Sequence, residues 1–210
     1  RLLEGRMSID RAALIAGIDR LAAAMERDFD MLNTADGALG DGDLGVTMTR
    51  GMRLVAEKAP DLRDDLGMAL LQCAQAFTKS SGSSYGTLLA TGLMAIAKAV
   101  KGETELSAGR VSELVAAARD QMQARGKAEL GGKTVLDSLD AVASATEGLG
   151  DPEAVADAAA RAAGEALDAF RDKKATIGRA RIFGDKSIGM DDPGMLAMNR
   201  IVKALADRQD

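Results

Sequence analysis

The sequence predicts an all-α protein, an antiparallel bundle of eight helices in a single domain. Apolar residues recur at helical spacing almost everywhere along the 210 residues. No run of alternating polar and apolar residues predicts a β-strand. Apolar residues make up 47% of the chain and aromatic residues only 2%, so Ala, Leu, Ile, Val and Met are expected to form the core. Alanine in particular lets helices approach one another closely.

The first four helices are predicted from helical spacing alone. The first follows Ser8 and carries apolar residues from Ile9 to Met25. Pro60 ends the second, because proline has no amide donor to continue a helix. The second, third and fourth helices are predicted over residues 46–59, 62–78 and 84–100.

The last four helices have stronger boundary signals. Asp151 followed by Pro152 is typical of an N-cap residue before the first helical position, and Asp192 followed by Pro193 repeats the pattern. The fifth, sixth and seventh helices are predicted over 111–125, 133–147 and 151–172, with the eighth after residue 192. Met7 is the expected native start, so we expect residues 1–7 to be an added or disordered segment and residues 8–210 to be the single helical domain.

Composition excludes several functional classes. A net charge of −5 argues against a nucleic-acid partner, which requires a basic surface. Cys73 is the single cysteine, so no intrachain disulfide can form, and no run of eighteen apolar residues predicts a membrane span. We therefore expect a cytoplasmic protein without a membrane partner. The sequence has no histidine, which excludes a histidine base and a histidine-ligated zinc within this chain.

The segment 36–45 concentrates acidic residues among glycines. Asp36, Asp41 and Asp43 supply three carboxylates, which are the oxygen ligands that Mg²⁺ prefers, usually together with substrate phosphates. The helix predicted from Val46 would direct its free N-terminal N–H groups to the same place. Alternatively, Asp and Gly are common turn formers, and the segment by itself is also typical of a solvated turn or an N-cap.

Three other interruptions share this polar, glycine-rich character. They fall at residues 79–86, 126–134 and 178–194, and they alternate with plainer connections near 60, 102–110 and 148–152. Alternate connections of an up-and-down bundle lie at the same end. The sequence therefore predicts that all four polar segments form one rim and that this rim is the active site.

Each segment contains a recognisable motif. In chain order the motifs are Asp36 with Gly40-Asp41-Gly42-Asp43-Leu44-Gly45; Ser80-Ser81-Gly82 with Gly86-Thr87; Gly126-Lys127-Ala128 with Gly132-Lys133-Thr134 and Asp137; and Gly178-Arg179-Ala180, Gly184, Ser187-Ile188-Gly189 and Asp192-Pro193-Gly194. Together they resemble the motifs of the nucleotide-binding L subunit of dihydroxyacetone kinases, over nearly the whole chain from about Ser8. Four ordered motifs are far more specific than any one of them.

The resemblance implies a fold and a site. It implies a closed barrel of eight antiparallel helices that holds ADP or ATP and two Mg²⁺ ions at one rim. Asp36, Asp41 and Asp43 would bind the metals. Arg179 would position a phosphate, and its alternative role is that of a surface arginine near the end of the seventh helix. The implied nucleotide contacts are Leu44, Gly45, Val46, Thr47, Ser80, Ser81, Gly126, Val135, Arg179, Asp192, Pro193 and Gly194.

The resemblance also implies a function. The chain would be a kinase subunit that transfers a phosphoryl group to a ketose held on a separate K subunit. The donor would be ATP, or a tightly bound ADP rephosphorylated by an M-type phosphocarrier of the phosphoenolpyruvate phosphotransferase system. A homodimer is also possible. The sequence leaves open which donor is used and which ketose is phosphorylated.

Two departures from the family pattern and two alternative functions remain. Leu44 replaces the usual histidine of the acidic motif, and Ser83-Ser84 replaces a common Pro-Leu. The alternatives are a nucleotide-dependent regulatory module without kinase activity and a structural bundle with fortuitous Asp turns. Two apolar residues, Val135 and Met190, either line a base-binding slot or belong to the core. Three loop lysines are expected to be solvated: Lys127, Lys133 and Lys186.

Overall fold

The computed structural model describes residues 8–79 and 82–207, which contain nine α-helices and a two-stranded sheet. The helices are α1 (Arg11–Arg27), α2 (Phe29–Leu39), α3 (Leu44–Lys58), α4 (Leu66–Thr78), α5 (Ser84–Ala99), α6 (Val111–Gly126), α7 (Val135–Thr146), α8 (Pro152–Arg171) and α9 (Pro193–Ala206). Short 3₁₀ segments cover Ala59–Asp61, Ala108–Arg110 and Arg179–Ser187. The prediction of an all-α protein is confirmed.

Helix starts follow the capping signals in the sequence. The side chain of Asp151 accepts a hydrogen bond from the Ala154 N–H at 2.9 Å, and Asp192 accepts one from the Met195 N–H at 2.9 Å. Proline occupies the first position of both helices. Because these caps satisfy N–H groups that have no partner inside the helix, they fix where α8 and α9 begin.

The helices pack in a continuous cycle. Eight of them, α1 and α3 to α9, each pack against the next, and α9 packs against α1. The largest apolar cluster draws buried side chains from α1, α2, α3, α4, α8 and α9, mostly Ala, Leu and Met. The expected core composition is therefore confirmed, while closure of the helices into a barrel stays a prediction. In the part of the chain that the structure describes, no helix is both long and apolar enough to cross a membrane.

A buried ion pair joins the α1–α2 junction to α9. Asp28 is 2% exposed, and Arg200 donates to both of its oxygens, from Nε at 2.6 Å and Nη2 at 3.0 Å. Burial alone would raise the pKa of Asp28, but hydrogen bonds from Arg200 and Arg27 outweigh it and lower the pKa. This pair helps to hold α2 at the end of the bundle where the acidic segment lies.

Three sequence predictions of local structure were wrong. Helix α2 was not predicted, so the described residues contain nine helices instead of eight, and Asp36 lies in a last helical turn instead of a loop. The first helix begins after Asp10, and Ser8 belongs to a strand, β1 (Ser8–Asp10), that pairs antiparallel with β2 (Glu105–Ser107). Strands of three residues are too short to show alternation, and the polar residues of α2 resemble a turn. The expectation for residues 1–7 lies outside the described residues.

Candidate active site

Three carboxylates converge where α2 meets α3. Each of Asp36, Asp41 and Asp43 offers a carboxylate oxygen, and these oxygens lie within 4.8 Å of one another. Asp36 is half-buried in the last turn of α2, and the other two are exposed on the turn that leads into α3. We call these residues the acidic triad. The structure therefore brings together the three residues that were predicted to bind metal.

Two side chains of α2 hold the start of α3. The Oδ2 of Asp36 accepts from the Asp43 and Leu44 N–H groups at 2.9 and 3.2 Å. The Oδ1 of Asn33 accepts from the Gly45 and Val46 N–H groups at 2.7 and 3.3 Å. The first N–H groups of α3 are thus bonded within the chain, which corrects the expectation that they are free to face a ligand. Asn33 was missed, although its spacing of three from Asp36 would have placed both on one face of a recognised helix.

The electrostatics of the acidic triad favour a bound cation. Burial raises the pKa of Asp36, and the charge of Asp41 raises it further against the lowering effect of the backbone N–H groups. Arg179 forms an ion pair with Asp41, and this hydrogen bond lowers the pKa of Asp41. Crowded carboxylates without a full set of counter-charges favour a bound cation, and their oxygens are the donors that Mg²⁺ takes. The residues present therefore fit a Mg²⁺ site.

The acidic triad lines a cavity of about 460 Å³, a size typical of small-molecule sites. All four polar segments contribute to its walls, as their predicted position on one rim requires. Six of its lining residues pack in one apolar cluster. Two of them are Tyr85 and Leu88, and we call the other four the apolar wall: Met122, Ala128, Val135 and Leu136.

The predicted nucleotide contacts fall into three groups. Those that line the cavity are Leu44, Gly126, Val135, Arg179, Asp192, Pro193 and Gly194. Those that are not among the lining residues are Gly45, Val46 and Thr47, whose positions lie further along α3. Ser80 and Ser81 lie outside the described residues. Val135 and Met190 were each expected to line a base-binding slot or to belong to the core. Val135 lines the cavity, and Met190 packs against a small apolar cluster of Leu39, Ala175 and Ala180.

A tyrosine that was not predicted shapes the wall at the start of α9. The Tyr85 hydroxyl donates to the Gly194 carbonyl at 2.9 Å, and both residues line the cavity. Burial raises the pKa of the hydroxyl, so it stays a donor. Burial also raises the pKa of Asp192 to about 6. Tyr85 is the single tyrosine of the chain and lies in a Gly/Ser segment, and this position in the sequence could have predicted its role at the site.

Gly45 is required by packing. A Cβ atom at this position would lie 2.3 Å from the Phe29 carbonyl oxygen and 2.8 Å from the Asn33 Oδ1. We expect Gly45→Ala to lower the free energy of unfolding by about 2 kcal/mol, since overpacking against backbone outweighs the better helix propensity of alanine. Urea denaturation measures this change. Gly150→Ala, where nothing lies within 4 Å of the added Cβ, should stay within about 0.5 kcal/mol of wild type. Equal stability of the two variants would contradict this packing role.

Sequence comparisons identify relatives of the chain. The profile of the DAK2 domain matches residues 38–207. The ADP-binding subunit DhaL of the PEP-dependent dihydroxyacetone kinase of Escherichia coli (strain K12) is 30% identical over 206 residues, which cover 95% of this chain and 98% of that subunit. The L-erythrulose kinase of Pectobacterium atrosepticum is 30% identical over 210 residues, which cover 93% of this chain and 35% of that enzyme.

A solved structure shares the fold. The dihydroxyacetone kinase from C. freundii in complex with AMP-PNP and Mg²⁺ superposes with a TM-score of 0.71 at 24% sequence identity. The similarity covers 92% of this chain and 33% of that chain, so this chain spans about one third of the C. freundii kinase.

Proposed function

Because this chain belongs to the DAK2 domain family, we propose that it is the nucleotide-binding subunit of a ketose kinase. It donates the γ-phosphoryl group of a Mg-nucleotide to a ketose held on a separate K subunit. The observation that carries this proposal is the acidic triad at a cavity whose walls come from all four motif segments. Phosphoryl transfer depends chiefly on positioning and charge neutralisation, and this arrangement supplies both.

The acidic triad binds the cations that accompany the nucleotide. Asp36, Asp41 and Asp43 would hold two Mg²⁺ ions, which when bound neutralise phosphate charge and orient the phosphates. Asp36 keeps this cluster in register with α3, because it bonds backbone N–H groups there through one oxygen. The same carboxylate lines the cavity, so it links the position of the cation site to the cavity wall.

The apolar wall receives the base. Val135 and Leu136 begin α7, where Thr134 caps the helix and Asp137 completes a capping box, so this part of the wall is fixed by hydrogen bonds. Met122 and Ala128 extend the apolar surface from the end of α6. Burial of a flat heterocycle against such side chains supplies affinity without charge. The phosphates then extend toward the acidic triad.

Arg179 contacts a phosphate of the bound nucleotide. Arg179 lines the cavity and its guanidinium pairs with Asp41, so it already lies beside the place where the phosphates and cations would meet. A guanidinium forms strong, directional hydrogen bonds with phosphate oxygens. When cations neutralise the acidic triad, the attraction of Asp41 for Arg179 falls, and the guanidinium is available to the phosphate.

The phosphoryl donor is either exchangeable ATP or a retained ADP that is rephosphorylated to ATP on the chain. The E. coli relative is an ADP-binding subunit of a PEP-dependent kinase, and by analogy this chain would keep ADP and receive its phosphoryl group from an M-type phosphocarrier. One relative is an L-erythrulose kinase, so the acceptor in the proposed reaction is either dihydroxyacetone or a tetrulose. Denaturing the purified chain and identifying the released nucleotide separates the donors: stoichiometric ADP favours the phosphocarrier route, and empty protein favours exchangeable ATP.

Mg-ADP should stabilise nucleotide-free protein, from which any retained ADP has first been removed, against heat. A ligand that binds only the native state stabilises it by about 2.7 kcal/mol at a hundredfold excess over Kd. For a chain of this size that corresponds to a rise in Tm of about 5 to 10 °C. Differential scanning calorimetry measures this rise, with ADP plus excess chelator and Mg²⁺ alone as controls that should give much smaller shifts. A Tm that does not respond to Mg-ADP would contradict nucleotide binding.

A further inference from the structure

A buried lysine ties the connection between α8 and α9 to the start of α7. The side chain of Lys133 has no exposed surface, and its backbone is left-handed with φ 62°. Its ammonium group donates to the carbonyl oxygens of Arg171, Lys173 and Ser187 at 2.8, 2.9 and 2.7 Å. An ammonium has three N–H donors, so all are used. The expectation that Lys133 is solvated was therefore wrong.

The three acceptors lie where the chain turns back after α8. Arg171 is the last residue of α8, and the connection that follows, residues 172–192, carries the other two acceptors. Ser187 holds this connection from within, because its Oγ accepts from the Ala175 N–H at 2.9 Å and donates to the Gly184 carbonyl at 2.7 Å. Lys133 thus binds the end of α8 and the connection near both its beginning, at Lys173, and its end, at Ser187.

A second contact fixes the part of the connection that lines the cavity. The Gly132 carbonyl accepts from the Thr176 N–H at 3.3 Å. A Cβ atom on Gly132 would lie 2.7 Å from the Ile177 Cδ1, so only glycine permits this close approach. Ile177, Gly178 and Arg179 all line the cavity. Residues 132 and 133 therefore contact the connection on both sides of Arg179.

We propose that Lys133 is a positioning residue that holds Arg179 at the phosphate end of the cavity through the connection 172–192. This inference rests on the proposed function, in which Arg179 contacts a phosphate. Lys133 itself is not among the cavity-lining residues, so it acts through the main chain of the connection. A non-glycine residue keeps a left-handed backbone when surrounding contacts over-determine it, as the three carbonyls do here.

The test uses Lys133→Met, which keeps most of the side-chain length and removes the ammonium. Three buried carbonyls then lose their partner, and the connection opens more often. We expect backbone amides in residues 173–190 to exchange with deuterium about tenfold faster, with α3 and α5 unchanged. Lys186→Met removes an exposed lysine of the same connection and should leave exchange as in wild type.

A double-mutant cycle on Mg-ADP affinity tests the link to Arg179. Arg179→Gln and Lys133→Met should each weaken binding about tenfold, because each removes the same charge-assisted hydrogen bond to phosphate. If Lys133 acts through Arg179, the double variant is also about tenfold weaker than wild type; independent effects would multiply to about a hundredfold. Isothermal titration calorimetry measures all four proteins.

Two results would overturn the proposal. One is exchange of residues 173–190 that does not change in Lys133→Met, and the other is multiplicative loss of affinity in the double variant. Should Lys133→Met not fold, Ser187→Ala loosens the same connection and must show the same pattern. Wild-type protein that binds no Mg-ADP would instead contradict the proposed function, and the exchange measurement would still report whether Lys133 holds the connection.

Discussion

Asp43→Asn should strongly weaken Mg-dependent nucleotide binding and phosphoryl transfer while the helices stay intact. Asp43 is exposed and makes no side-chain hydrogen bond to cap α3, so its carboxylate has no structural role there. Loss of one charged ligand from the acidic triad removes several kcal/mol of interaction with cations and phosphates. Since each 1.4 kcal/mol is tenfold, we expect transfer to fall about a thousandfold. Calorimetry with Mg-ADP and a coupled transfer assay measure the two losses.

The matched control is Asp19→Asn, which makes the same charge change at an exposed position of α1. It should leave affinity and transfer at wild-type levels. Far-UV circular dichroism should show equal helix content in both variants, because crowded carboxylates repel one another and do not hold a core together. If the Mg-ADP affinity of Asp43→Asn is unchanged, the acidic triad is not part of the nucleotide site. If the variant loses helix content, Asp43 has a structural role.

Much of the fold was predictable because its signals are local. Helical spacing and the two Asp-Pro starts, at Asp151 and Asp192, placed eight of the nine helices of the described chain. Their alternating connections then placed four polar segments on one rim, and these segments do line one cavity. The convergence of the acidic triad was predictable from spacing alone, since its residues lie within eight positions of one another in one glycine-rich segment.

What could not be predicted depends on contacts between distant parts of the chain. Lys133 looks like a solvated loop lysine, and its burial depends on carbonyl groups 38, 40 and 54 residues away. Helix α2 was not predicted because Asn33, Asp36 and Gly37 are turn formers. Tertiary packing against α3 and α9 keeps these residues helical. The bonded N–H groups of α3 were missed for the same reason, because they require α2 to be present.

Catalysis by this chain should depend completely on a partner that holds the ketose. The proposed function places the ketose on a separate K subunit. The proposed site takes up the nucleotide and its cations, and nothing in the proposal gives the acceptor a place on this chain. The ketose would then be chosen by the K subunit, and the same phosphoryl-donating subunit would serve dihydroxyacetone or a tetrulose equally.

The most direct test of the proposed function measures sugar phosphate formed from dihydroxyacetone by the chain with its phosphoryl donor, with and without a cognate K subunit. The donor is Mg-ATP, or phosphoenolpyruvate with the phosphocarrier proteins if the chain is purified with ADP. Product should form in the mixture, none above background should form with either subunit alone, and about a thousandfold less should form when Asp43→Asn replaces the wild-type chain. Product from this chain alone, in a preparation shown to be free of K subunit, or no product from the mixture although Mg-ADP binds, would contradict the proposed function.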